Sequence, residues 1–230
     1  MPDSELDDLL NGPSLKDLLD EPELLCLFTE DRQQLKEAVR DLVNRALEDG
    51  DIQGRLVDAL ELAIDENLGE EEAVLWIIAI LAESRSQGAI HTLLRSFALE
   101  EEESLSQASG IALLRIGVPA LEALMEWVDE EPGLDLRRQT YSLLGDCGII
   151  EEQEYLEEIR EFLRARIARE LTKPAGEGAL EEAATASARL GDHGFLDMLR
   201  RIFRENYGGM NPSLQDAIEL LEENPEAVPF

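Results

Sequence analysis

The chain has 230 residues and a formal net charge of −32, with 52 acidic against 20 basic side chains. Such a balance argues against nucleic-acid phosphates and anionic membrane surfaces as partners, because both are bound by Lys and Arg. Hydrophobic residues make up 44%, which excludes wholesale disorder, while 5% aromatics with few Val and Thr favour helix on helix over sheet.

The first 31 residues, MPDSELDDLLNGPSLKDLLDEPELLCLFTED, carry ten acidic residues against Lys16 alone. The motifs LDDLL and LKDLL alternate acidic and apolar residues, as in tails that fold onto a partner as a short amphipathic helix. Leu15, Leu18, Leu19, Leu24, Leu25 and Phe28 equally suit a fold-back that caps the first helical hairpin, and the Pro and Gly punctuation favours capping from Leu15 onward. With no basic region and no sustained apolar run, the start does not read as a signal peptide.

Amphipathic helices then follow in order: RQQLKEAVRDLVNRAL, EEAVLWIIAILAES, SLSQASGIALLRIG, LRRQTYSLLGDCG and ALEEAATASARLGD. After each comes a second helix with one repeated apolar spacing. The anchors are Gly54 (Leu56, Ala59, Ala63), Gly88 (Ile90, Leu93, Phe97), Pro119 (Leu121, Leu124, Val128), Glu154 (Leu156, Ile159, Leu163) and Gly194 (Leu196, Leu199, Phe203). That spacing puts three side chains on one face of a 3.6-residue helix. Gly117, Gly148 and Gly191 suit left-handed helix ends, and Ser104 with Gln107 fits a capping box. The tract Ala73 to Ala82 is too short to span a bilayer. Pro174 in TKPAGEG marks a loop or hinge, and Asn211-Pro212 opens a final helix over Pro212 to Glu223.

A hairpin recurring roughly every 31–40 residues, unable to bury its face alone, predicts an all-α chain built as an α-solenoid. ALLRIGVPALEALMEWV resembles a HEAT repeat, and ATASARLGDHGFLDMLRRIF resembles a second. The likeness runs from about Arg32 to Gly208, is weakest in the first repeat, and extends to bacterial HEAT-related families of uncharacterised function. It implies about five irregular HEAT-like hairpins, with a compact helical bundle as the alternative. The domain reading is 1–31 as an acidic N-terminal segment and partial cap, 32–208 as the repeat array, and 209–230 as a C-terminal capping helix and tail.

Motifs with chemistry are scarce. EDGDIQGRLVDALE half-matches a calcium loop through Asp49, Asp51, Gln53 and Gly54, but Leu60 stands where the bidentate Glu belongs and Glu61 is one place late. His91 and His193 belong to no HExxH and to no His-Glu pair, and a nucleophile elbow and a phosphate loop are both lacking. Cys26 and Cys147 form no CxxC, and such Cys are mostly small buried hydrophobes. Trp76 and Trp127 occupy apolar helix positions and read as core. The expectation is a cytoplasmic protein that is not an enzyme and carries no cofactor and no metal.

What remains is surface. In HEAT-like arrays the second helix of each hairpin generally lines the concave face, which nominates Arg95, Glu122, Glu126, Arg160, Arg164, Arg200 and Arg204 as partner-binding. Arg160 with Arg164, and Arg200 with Arg204, lie one turn apart and compose a basic stripe suited to an acidic or phosphorylated peptide. Glu157, Glu161 and Asp197, each three residues before an Arg, offer intramolecular pairing instead. The function expected is a protein-interaction scaffold or adaptor with another protein as partner. An accessory or lyase-type helper of an enzyme, and an acidic mimic or chaperone for basic proteins, are the alternatives; solubility or adaptation to a salty cytoplasm would equally produce the charge.

Overall fold

Twelve α-helices and no strand occur among the described residues of the computed structural model, which are 14–19, 21–69, 71–99, 103–130, 132–149, 153–173 and 177–223. The chain is all-α. It divides into two units, Met1–Ala120 and Leu121–Phe230.

The first unit holds α1 (Leu15–Leu18), a 3-10 turn at Leu25–Phe28, α2 (Arg32–Glu48), α3 (Gly50–Asp65), α4 (Glu72–Glu83), a second turn at Gln87–Ala89, α5 (Ile90–Phe97) and α6 (Glu103–Ile116). Asp31 starts α2 by accepting the Gln33 and Gln34 N–H groups at 2.8 and 3.2 Å, and Asp49 starts α3 by accepting that of Asp51 at 2.9 Å. The strongly apolar α4 buries Ala73, Val74, Ile77, Ile78, Ile80, Leu81 and Ala82. It packs on α2, α3 and α6, while α5 lies against α3 and α6. Helices two apart along the chain thus stack on one another, α2 on α4 and α4 on α6. Leu15, Leu19, Leu24 and Leu27 are buried, and the Leu15 N–H donates to Glu71 Oε1 at 2.9 Å. That bond ties α1 to the start of α4, and the Leu25–Phe28 turn rests on α2 and α4. Leu25 is exposed, and Leu18 and Phe28 are half-buried. The LDDLL motif lies outside the described residues.

Helix α7 (Val118–Asp129) begins at the end of the first unit and continues in the second, which adds α8 (Leu134–Gly145), a 3-10 turn at Asp146–Ile149, α9 (Gln153–Glu170), α10 (Leu180–Arg189), a turn at His193–Phe195, α11 (Leu196–Tyr207) and α12 (Pro212–Glu223). The buried α10, rich in alanine, packs on α8, α9 and α12, and α11 packs on α12. Small residues let α8 and α10 approach closely: a Cβ added at Gly145 would stand 2.7 Å from the Ala186 Cα.

Local punctuation follows the sequence with two departures. Gly117 and Gly191 adopt φ of +91° and +65°, as left-handed helix ends require. Asn211 Oδ1 accepts the Leu214 N–H at 3.1 Å and caps α12. Gly148 instead lies within the Asp146–Ile149 turn. The Ser104 capping box does not form, because α6 already includes Glu103 and the Gln107 amide donates to the Glu103 carboxylate at 2.9 Å. Of the TKPAGEG stretch, residues 174–176 lie outside the described residues. No helix among the described residues is long and apolar enough to cross a membrane.

Candidate functional site

The four arginines of the expected stripe all contact their own chain. Arg160 donates from Nε and Nη2 to the Leu190 carbonyl at 3.0 and 2.6 Å and pairs with Glu157 at 3.1 Å. Arg164 grips Asp192 in bidentate fashion at 2.7 and 2.5 Å, and the same Asp192 accepts the Ser187 hydroxyl at 3.1 Å. Both reach from α9 to the α10–α11 turn, and Arg164 shares Glu157 with Arg160 at 3.2 Å. Arg200 joins α11 to α12 through Glu222 at 2.8 Å and also meets Asp197 at 3.2 Å, while Arg204 donates to the Arg200 carbonyl at 3.1 Å. In the first unit Arg95 reaches Asp65 at 2.9 Å, from α5 to α3.

The same use of arginine recurs at residues that sequence reasoning passed over. Arg55 pairs with Glu23 and Arg115 with Glu83 in the first unit; Arg138 meets Glu182 at 3.2 Å and Arg189 meets Asp146 at 2.9 Å in the second. The most buried of these ties is Arg137, whose Nε lies 3.2 Å from Glu170 Oε1. Its other nitrogens donate to the Pro132 and Glu177 carbonyls at 2.8 and 2.6 Å. Glu170 also accepts the Tyr141 hydroxyl at 3.1 Å and the Ala179 N–H at 2.9 Å. Burial, and then the Glu170 charge, push the Tyr141 ionisation upward. The helix LRRQTYSLLGDCG carries two adjacent arginines, and nothing in the sequence marked Arg137 as the internal one.

Glu122 and Glu126 are exposed on α7. One ion pair joins α7 and α9. Arg166 of α9 is buried over the Phe162 ring, 5.0 Å from its centroid, and pairs with Asp129 near the end of α7. Near the start of α9, Tyr155 is 7% exposed and its hydroxyl has no hydrogen-bond partner among the described residues. Burial first, then the charges of Glu122 on α7 and Glu158 on α9, raise its ionisation.

The remaining candidates serve local structure. Asp49 caps α3, and Gln53 clamps two neighbours by donating to the Ala46 carbonyl at 2.7 Å and accepting Ser86 Oγ at 3.1 Å. Gly54 is an interior residue of α3. His91 is exposed and His193 half-buried. No group of three or more His, Cys, Asp or Glu side chains among the described residues is placed to hold a metal ion. A cleft of about 180 Å³ in the second unit is lined by Ser142, Glu181, Glu182, Thr185, Ala186, Arg189 and Ser213. Glu181 accepts from Asn211 at 2.8 Å, and Glu182 and Arg189 hold the ion pairs given above. Trp76 and Trp127 are half-buried rather than full core, and the Trp76 indole donates to Glu72 at 3.3 Å.

The two cysteines differ sharply. Cys26 is exposed, whereas Cys147 is fully buried and its thiol is pushed up to about 12, chiefly by burial. A thiol reagent at neutral pH is expected to modify Cys26 promptly and Cys147 only on unfolding, as read by mass spectrometry across a urea series. The unfolded thiol ionises first on raising the pH, so Cys147 contributes stability present below about 9 and lost as pH climbs toward about 12.

No protein-family model matches the chain, and neither does any curated protein. A crystal structure of an engineered protein is similar at a TM-score of 0.42 and 17% identity, covering 90% of this chain and 96% of that one.

Proposed function

We propose that the chain is a non-catalytic protein-interaction scaffold whose partner presents a cationic surface. The observation that carries this reading is the disposition of charge. Arginines are tied to carboxylates or carbonyls of the chain itself, notably Arg55, Arg95, Arg115, Arg137, Arg138, Arg160, Arg164, Arg166, Arg189 and Arg200. With 52 acidic side chains against 20 basic ones, the surplus left facing outward is carboxylate. Such a surface repels an acidic or phosphorylated peptide and steers a basic protein toward it. Within each unit, helices two apart along the chain pack on one another (α2 on α4, α4 on α6, α8 on α10, α10 on α12), which supports the HEAT-like α-solenoid reading, in which stacking creates interaction surface without chemistry.

The test is a pull-down from native lysate at low and high salt, with the captured proteins identified by mass spectrometry. One basic protein retained at high salt, and forming a defined complex with the purified chain, is the expected result. A crowd of basic proteins lost together as salt rises would withdraw the scaffold in favour of an unspecific acidic binder.

A further inference from the structure

The cleft of the second unit lies where α8, α10 and α12 meet, and its polar groups are unlike those around it. Of the serines and threonines of this unit, Thr140, Thr172 and Ser187 donate within the chain at 2.8, 2.7 and 3.1 Å. The remaining ones, Ser142 of α8, Thr185 of α10 and Ser213 of α12, have no hydrogen-bond partner among the described residues, and all of them line the cleft. Its charges are equally selective. Glu182 is neutralised by Arg138 and Arg189 by Asp146. Glu181 has only the Asn211 amide, which engages Oε1 at 2.8 Å and brings no charge. Ala186, which is buried, supplies an apolar wall. The cleft therefore offers one uncompensated carboxylate, free hydroxyls from separate helices and a short apolar surface. Its volume of about 180 Å³ matches about six waters at about 30 Å³ each, the size of a butylammonium group. An ammonium carries three donors and no acceptor, so single acceptors set around it satisfy it. A guanidinium fork instead takes both oxygens of one carboxylate, and here Asn211 already holds Oε1.

We propose that this cleft receives a primary ammonium on a short alkyl stem, the side chain of a lysine of the partner. The ammonium pairs with Glu181 and donates to the Ser142, Thr185 and Ser213 hydroxyls, while its methylenes lie along Ala186. The proposal rests on the cationic-partner reading above and gives it a place and a preference for Lys over Arg.

The experiment follows the backbone amides of the full chain by NMR at low salt. The probes are capped alanine peptides with one central Lys, Arg or Nε-acetyl-lysine, and n-butylammonium. The Lys peptide is expected to shift the amides of Glu181, Thr185, Ala186 and Ser213, the Arg peptide to bind about fivefold more weakly, and the acetylated peptide to shift none of them. Glu181→Gln is expected to weaken the Lys peptide about tenfold and Thr185→Val about threefold. Asp58→Asn, an exposed carboxylate of the first unit, serves as the control of equal charge change and should weaken it by no more than about twofold. Thermal melts confirm that each variant folds. Equal binding of the Lys and Arg peptides, with Glu181→Gln no worse than Asp58→Asn, overturns the cleft while the cationic-partner reading stands. Binding of n-butylammonium as tight as that of the Lys peptide overturns the assignment to a partner and leaves a free alkylamine as the ligand. Absence of shifts anywhere on the chain with both cationic peptides overturns the cleft and the cationic-partner reading together.

Discussion

Glu170→Ala is expected to destabilise the second unit by about 3–5 kcal/mol, the cost of leaving a buried charge without its counter-ion. Glu170 and Arg137 are 4% and 7% exposed, so water cannot replace the lost partner. The substitution also strands the Tyr141 hydroxyl and the Ala179 N–H, both of which donate to this carboxylate. Arg137 joins α8 to the Glu177 carbonyl, and Glu170 joins the end of α9 to the start of α10, so one pair fixes three helices. Urea unfolding followed through Cys147 modification would show the shift in midpoint at unchanged slope. Replacing both partners by apolar residues, Arg137→Met with Glu170→Leu, is expected to cost less than Glu170→Ala alone, because no unpaired charge remains. A single variant no worse than the double would mean that the pair is not buried in solution.

Gly145→Ala should cost about 1–3 kcal/mol, because the added methyl has nowhere to go. It would stand 2.7 Å from the Ala186 Cα and 3.0 Å from its Cβ, and backbone cannot rotate aside as a flexible side chain can. Helices α8 and α10 would have to separate, disturbing the layer that α10 shares with α12. Gly54→Ala in α3 is the contrasting case. That position has open space around it, and removing a helical glycine there should stabilise by about 0.5–1 kcal/mol. The two melting temperatures are therefore expected to move in opposite directions, and a matching shift would refute the close approach of α8 and α10.

The helices were legible because their information is local. The apolar spacing repeated after Gly54, Gly88, Pro119, Glu154 and Gly194 falls in α3, α5 with its preceding turn, α7, α9 and α11, and the final helix spans Pro212–Glu223 as Asn211-Pro212 indicated. Capping was less legible. Glu103 rather than Ser104 engages Gln107, since an acceptor one turn back competes with a backbone cap. The polar partners were least legible of all. Spacing foresaw Glu157 for Arg160 and Asp197 for Arg200, but not the Leu190 carbonyl, Asp192 or Glu222, which the chain brings close only through tertiary packing. The buried position of Arg137 and the tie between Arg166 and Asp129 belong to the same class.

The ion pairs that join different helices share one further property. Glu23 with Arg55, Asp65 with Arg95, Asp146 with Arg189 and Arg200 with Glu222 each link stretches about one hairpin apart along the chain. Fastenings of that reach hold neighbour to neighbour. A chain assembled this way can order itself piece by piece, without waiting for distant segments to meet, and a break in one fastening loosens its own neighbourhood first. Under tension it would yield in a succession of small give-ways, as a row of buttons does, rather than in a single rupture.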